Sequence, residues 1–344
     1  MKLIPTTITL LAAIVAAPSM AQEVTLKIAD SLPADHIITQ NTTDVFMERV
    51  KEELGDRVAF EHYPAQQLAK AKDILSVTQA GIADIGYVVP SYVSEKMPLG
   101  GVVELPGEIQ SSCEGTLAFR NLVQPGGMLD ELEFQPNGVR VLYNVALSPY
   151  QAIFSKRADV ESLEDFDGMK MRSNPGAMEL SLQSVEAVPV RMSPPEIFDA
   201  ITKGTIDGAL LPFASVFSYG LDQIVGSATK NANFGSVGIT YAISENKWNS
   251  LPEDIQEVLT RAGREVTESA CSAFDEAEKA LSTEMAEKGA NVFVLSEEES
   301  AMLNTSFENV AQDWAETLDS RGKKGSEALS AFREQVEMQR AEGT

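Results

Sequence analysis

Few residues in this chain could carry bond-making chemistry. It has two histidines, His36 and His62, and two cysteines, Cys113 and Cys271, and none of them falls into a metal-ligand spacing or a nucleophile–base arrangement. No G-x-S-x-G, phosphate-cradling glycine loop or H-E-x-x-H is present. Acids number 51 in 344 residues, so any two could be nominated as acid and base, and a nomination would carry no information. Such a sequence points away from an enzyme, and no cofactor or metal is expected. The residue with the clearest chemical use is Arg172, which closes the short run Met169-Lys170-Met171-Arg172. A guanidinium offers a planar fork of donors suited to a carboxylate or sulfonate, and open α/β sheets place their ligand crevice at the carboxyl ends of strands. A structural arginine paired with one of the many acids is the plainer alternative.

The elements that would position Arg172 follow a repeating pattern. Residues 24–30, VTLKIAD, alternate and are rich in β-branched types; a helical pattern through Val45, Phe46, Met47 and Val50 then stops at Gly55. RVAFEHY (57–63) reads as a second strand, Leu68, Ile74, Leu75 and Val77 as a helix ending at Gly81, and ADIGYVV (83–89) as a third strand. That β-α-β-α-β order implies a parallel sheet with helices on its faces. After a Gly- and Pro-rich stretch (98–138), strands are expected at 139–147 and 151–156. The pattern then restarts with MKMR, a helix after Pro175, AVPVRM (187–192), a helix from Pro194 to Lys203, and IDGALL (206–211). A second α/β unit with its own sheet is expected. VGITYAIS (237–244) reads as a strand returning to the first unit, so the units are discontinuous: 22–147 plus 238–277, and 148–237 plus 278–344. Ser250 and Glu253 match an S-x-x-E capping box, with Pro252 in the first turn. From there Ile255, Leu259, Ala262, Val266, Ala270, Phe274, Ala277 and Leu281 keep one apolar face up to Gly289. A helix of that length reaches roughly 55 Å, enough to brace both units.

The opening residues read as a secretory signal peptide over 1–21: Lys2, an apolar run from Leu10 to Ala17, then Pro18-Ser19-Met20-Ala21. The remaining chain, about 320 residues, is the size of two domains. The net charge of −24 becomes −25 without Lys2, which makes nucleic acid and anionic membrane surfaces poor partners. No later stretch is apolar over the ~20 residues that a spanning helix needs, so direct membrane insertion is not expected. In an oxidising compartment Cys113 and Cys271 could pair; two separate buried thiols are the alternative, and the sequence leaves both open.

Three separated segments carry a family resemblance: YPAQQLAKAKDILSVTQAGIADIG (63–86), LEDFDGMKMR (163–172) with SPPEIFDAITKGTIDG (193–208), and WNSLPEDIQEVLTRA (248–262). In this order they make nearly all of the chain after residue 21 resemble the DctP-type solute-binding subunit of TRAP (tripartite ATP-independent periplasmic) transporters. The resemblance implies a type II periplasmic binding protein: two α/β lobes, a ligand cleft between them and a long bridging helix. It implies a periplasmic monomer that closes on a small-molecule solute and hands it to the small and large integral membrane subunits. Arg172 matches the family's carboxylate-binding arginine. Where members that bind polyhydroxylated acids carry an asparagine before proline, this chain has Leu211 before Pro212; Gln151 aligns near their second pocket arginine, and Val89 and Tyr92 near polar positions. Leu211, Val89, Pro194 and Phe213 suggest a less polar solute. Arg172, Gln151, Tyr87, Tyr92 and Leu211 are expected to line one cleft, with Asn174 and Phe213 beside them. Glu104 before Leu105-Pro106-Gly107 departs from the small or apolar residue usual in the family, and Asp30 ends the first strand at the crevice edge. An acid opposite Arg172 would favour an amine, amino alcohol or zwitterion, which is the alternative to a small organic acid. An enzyme or a non-transport sensor on the same scaffold are further alternatives.

Overall fold

A computed structural model of the protein describes residues 24–343. The signal peptide expected over 1–21 lies outside the described residues. Two sheets organise the chain. The first comprises β1 (Val24–Ala29), β2 (Val58–Tyr63), β3 (Ile85–Val88), β4 (Val139–Ala146) and β10 (Gly238–Ser244), in the order β2-β1-β3-β10-β4. β1 pairs parallel with β2 and β3, whereas β10 runs antiparallel between β3 and β4. The second comprises β5 (Gln151–Ser155), β6 (Lys170–Ser173), β7 (Val188–Arg191), β8 (Gly208–Leu211), β9 (Val225–Thr229) and β11 (Asn291–Phe293), in the order β11-β9-β5-β8-β6-β7. The chain passes between the sheets after β4, after β9 and again on the way to β11. This is the type II two-lobed α/β architecture expected from the sequence.

The first sheet is flanked by α1 (Ile37–Asn41), α2 (Thr43–Leu54), α3 (Ile74–Gln79) and α4 (Ser112–Val123), and the second by α5 (Ala177–Gln183), α6 (Ile197–Lys203) and α7 (Phe213–Ser218). After α8 (Glu245–Ser250) comes α9, which runs unbroken over 35 residues, Glu253–Glu287, or about 52 Å at 1.5 Å per residue. Its buried stripe of Ile255, Val258, Leu259, Ala262, Val266, Ala270 and Phe274 follows the expected spacing of three and four. It lies on α2, α4 and β4 of the first unit and on α7 and β11 of the second. Its start differs from the sequence reading. Ser250 ends α8 and bonds back to the Lys247 carbonyl at 2.7 Å, Pro252 is the cap residue, and no side chain caps α9. The capping pattern failed because a short helix already claims Ser250.

The last two helices, α10 (Glu297–Ser320) and α11 (Gly325–Glu342), divide between the units. α10 packs on α5, and its Glu299 accepts the Leu163 N–H at 2.8 Å. α11 packs instead on α4 and on the 3-10 segment Leu99–Glu104 of the first unit. There Arg333 holds Glu108 and Glu308, and Arg340 holds Glu114. α11 thus lies against elements of the first unit although it follows α10 in the chain, a neighbour that its amphipathic stripe alone does not name.

Cys113 and Cys271 form a disulfide between α4 and α9, with their Cα atoms 4.7 Å apart. Next to it Asp275 of α9 accepts the N–H groups of Ser112 (2.7 Å) and Cys113 (3.1 Å), satisfying first-turn donors of α4 that the helix itself cannot. Among the described residues no helix is long and apolar enough to cross a membrane.

α9 meets β4 so closely that a Cβ on Gly263 would sit 2.1 Å from the Leu142 carbonyl oxygen. Alanine normally gains about 1 kcal/mol over glycine inside a helix. Here the contact is with backbone, which cannot rotate away, so Gly263→Ala is expected to destabilise the fold by about 1–3 kcal/mol. Urea denaturation of the two proteins measures the sign; a gain in stability would mean that α9 does not seat on β4 in this way.

Candidate functional site

Arg172 is the second-last residue of β6, between Val190 of β7 and Ala209 of β8, and its side chain reaches the junction of the two sheets. It is completely buried. Its Nε donates to the Met192 carbonyl at 3.1 Å and its Nη2 to the Asn174 side-chain oxygen. Nη1 makes no formed hydrogen bond, although the Tyr92 hydroxyl lies beside the guanidinium, and no ion pair to Arg172 forms among the described residues. Two anchors therefore fix the fork from within its own unit and leave one edge of the guanidinium free to donate. Asn174 is likewise buried, with its Nδ2 unpartnered.

Three tyrosines from different parts of the chain surround this charge. Burial raises the hydroxyl pKa of Tyr92, Tyr150 and Tyr219, and the Arg172 guanidinium pulls each back part of the way. Tyr92 lies in the 3-10 turn Pro90–Val93 after β3, Tyr150 in the crossing before β5, and Tyr219 at the C-terminal end of α7. Tyr87, on β3, is buried against Tyr241 with ring centroids 5.6 Å apart and adjoins Tyr92. Tyr219 touches the His36 ring at 4.7 Å, joining α7 to the start of α1 across the junction. The structure thus brings Arg172, Asn174, Tyr87 and Tyr92 together. It adds Tyr150 and Tyr219, which nothing in the sequence singled out.

Glu104 completes the group. It ends the 3-10 segment Leu99–Glu104, is 1% exposed, and neither carboxyl oxygen has a hydrogen-bond partner. The Ser91 hydroxyl lies beside it, short of a formed hydrogen bond, and Arg172 is close enough to act on its charge. Gly235, at φ +100°, lies against the Glu104 carbonyl where a Cβ would be 2.1 Å away, so the crossing into β10 holds this backbone in place.

The other expected residues sit elsewhere or are already engaged. Asp30 spends its oxygens within the first unit, accepting from the Tyr241 hydroxyl at 2.7 Å and the Leu32 N–H at 2.8 Å, with His62 at 3.6 Å. Gln151 accepts from Thr229 at 3.0 Å and from the Ala232 N–H at 3.1 Å. It faces a groove of about 300 Å³ that also takes in Phe213, Lys230 and Glu278, apart from Arg172. Leu211, across β5 from Gln151, and Phe213 are both 1% exposed in the main core. The Phe213 and Ala214 N–H groups donate to Glu278 of α9, whose carboxyl burial pushes up to about 7.

A second groove, of about 530 Å³, opens beside Tyr92, Asn174 and Met192. Lys70 and Lys72 of the first unit and Arg191 of the second stand on its wall.

A family model described as bacterial extracellular solute-binding protein, family 7, matches residues 28–317. The C4-dicarboxylate-binding periplasmic protein DctP of Rhodobacter capsulatus is 26% identical over 337 residues, covering 92% of both chains. Among solved structures, a TRAP solute binding protein from Rhodoferax ferrireducens T118 in complex with copurified benzoate superposes with a TM-score of 0.85 at 24% identity, covering 93% of this chain and 100% of that one. A marine metagenome TRAP solute binding protein specific for aromatic acid ligands, in complex with 3-hydroxybenzoate, gives 0.84 at 23% identity, covering 92% and 99%.

Burial pushes the Glu104 carboxyl up to about 8 from its ordinary 4.5, against the smaller pull of Ser91 and Arg172. Between those values the folded chain keeps a proton that the unfolded chain has released. This group's contribution to stability is therefore complete below the lower value and lost as pH rises to the upper one. Glu104→Gln cannot ionise, so its melting temperature relative to the parent is expected to climb from about pH 5 to about pH 8 and then level off. A constant difference across that window, read by scanning calorimetry, would show that Glu104 is already ionised in the folded protein.

Proposed function

The chain belongs to the bacterial extracellular solute-binding protein family 7, and from that premise we propose that it is the extracytoplasmic receptor of a TRAP transporter, holding a small organic acid by its carboxylate at Arg172. The observation that carries this reading is a wholly buried guanidinium with a free Nη1 edge and no ion-pair partner among the described residues. An uncompensated buried charge costs several kcal/mol, and a solute carboxylate or sulfonate placed on that edge removes the cost through two parallel charge-assisted bonds. The ring of tyrosines suits a solute with a flat or apolar body, in keeping with the benzoate and 3-hydroxybenzoate of the two structural neighbours. Lys70 and Lys72 beside the neighbouring groove outnumber its one acid, Glu196, with Arg191 already paired to Glu179, which leaves a small local excess of positive charge for an anion on a protein of net charge −24.

The two sheets supply opposite walls of the site, Tyr87, Tyr92 and Glu104 from one and Arg172, Asn174 and Tyr219 from the other. A solute touching both walls stabilises the closed arrangement, which is the form to be recognised by the small and large integral membrane subunits in the periplasm. The lobes taking part are residues 24–147 with 238–277 and 148–237 with the segment from 278 to the end of α10, α11 moving with the first. The activity is binding and delivery, with no catalytic step.

Replacing Arg172 by Ala is expected to weaken binding of the natural acid by about 2–5 kcal/mol, the range for truncating one side of a buried charge pair. Arg172→Lys should recover only part of this, because a point charge cannot make the paired contact. Titration calorimetry with acids identified by a thermal-shift screen measures both. Binding by Arg172→Ala within about threefold of the parent would remove the carboxylate anchor from the account.

A further inference from the structure

We infer that Glu104 reads a second polar group on the solute as an uncharged hydrogen-bonding partner, so that the receptor selects monocarboxylates bearing a hydroxyl or carbonyl over plain ones. The inference rests on Arg172 holding the carboxylate.

Glu104 is exceptional among the buried acids. Asp30 is held by Tyr241 and Leu32, Glu114 by Gln110 and Arg340, Asp130 by Gly126 and Gln135, and Glu133 by the N–H groups of Leu99 and Gly100. Glu104 alone in that set has both oxygens buried and without a partner. Native interiors rarely leave such groups unpaired, so their occurrence at one point needs a cause. Arg172 Nη1, Asn174 Nδ2 and the Ser91 hydroxyl, all buried and unpartnered, belong to the same cluster. The polar atoms divide in kind: Arg172 and Asn174 offer donors from the second unit, and Glu104 and Ser91 offer groups that can both donate and accept from the first. A solute that satisfies only Arg172 leaves Glu104 stranded. One that carries a hydroxyl or carbonyl beyond its carboxylate satisfies both walls.

The carboxyl's charge follows from its surroundings. The charged and titratable groups near it are Arg172 on β6, Tyr92 in the turn shared with Ser91, and Tyr150 before β5. Once the solute carboxylate neutralises Arg172, an ionised Glu104 would be a second, unpaired anion in a dry site, so the proton stays on. A neutral carboxyl has one donor and one acceptor, the complement of a hydroxyl. The unliganded group is already held near 8 by burial, so raising the pH past that point sets a charge on it that repels the solute.

The test is calorimetric titration with acids that differ by one polar group, mandelate against phenylacetate and lactate against propionate, together with zwitterionic phenylglycine, at about pH 6 and pH 9. The expected result is that at least one hydroxy acid binds about tenfold or more tighter than its plain partner at pH 6, and that both acids of each pair lose affinity at pH 9. Glu104→Gln should flatten the pH dependence, and Glu104→Leu should abolish the preference at both values; circular dichroism melts establish that both variants fold. Equal binding within both pairs by the parent overturns the inference, as does phenylglycine outcompeting mandelate, since that result requires an ionised Glu104 paired with an ammonium group. Those two outcomes leave the receptor reading intact where Arg172→Ala still loses affinity for the plain acids. Failure of every acid to bind the parent overturns the receptor reading and this inference with it.

Discussion

A positive charge buried at the junction of two sheets, with no acid among the described residues paired to it, is the constraint around which this molecule is arranged. Water solvates a guanidinium far better than a protein interior does, and a buried one is tolerated only when its donors are met. Arg172 meets two of these needs within its own unit, through Met192 and Asn174, and leaves the third side open. On the proposed reading, the same residues that make this costly without a partner make it selective with one. The tyrosines bury the charge, Asn174 holds one arm of the fork, and Glu104 across the junction forms no ion pair with it.

Holding the two walls in register is the work of the rest of the fold. The crossings after β4 and β9 bring Tyr150 and Gly235 to the site, where Tyr150 donates its N–H to the Gly235 carbonyl at 2.7 Å and Gly235 abuts Glu104. α9 spans both units: its N-terminal half is seated on β4 at Gly263, its middle is tied to α4 by the disulfide and Asp275, and Glu278 caps the start of α7. α11 backs the 3-10 segment that ends at Glu104. A helix crossing from one sheet to the other can bend or pivot while the local caps at each end stay intact, which is the kind of connection that hinge closure requires.

Much of this was legible because periodicity and strand-end position report local physics. The two sheets, the long α9 and the placement of Arg172 all follow from apolar spacing and from the rule that strand ends face the crevice. What escaped the sequence depends on contacts between distant segments. The Ser250–Glu253 pattern has the right residue types, but a preceding helix occupies Ser250. Gln151 stands on a strand end, yet Thr229 and Ala232 claim its side chain. Asp30 and Glu104 look alike in sequence; one is bonded by Tyr241 and Leu32 and the other is bonded by nothing. Tyr150 and Tyr219 carry no local signal, since their position is set by a crossing and by the end of a six-residue helix. The disulfide, left open by sequence, required α4 and α9 to lie side by side.

The most direct measurement is a crystal structure of the protein with the tightest-binding acid found by screening. The account predicts the solute's carboxylate within about 2.7–2.9 Å of the Arg172 guanidinium, on its Nη1 edge, inside the ring of Tyr92, Tyr150 and Tyr219. A carboxylate seated elsewhere, with Arg172 turned toward Glu104 to form an ion pair of the protein's own, would contradict it.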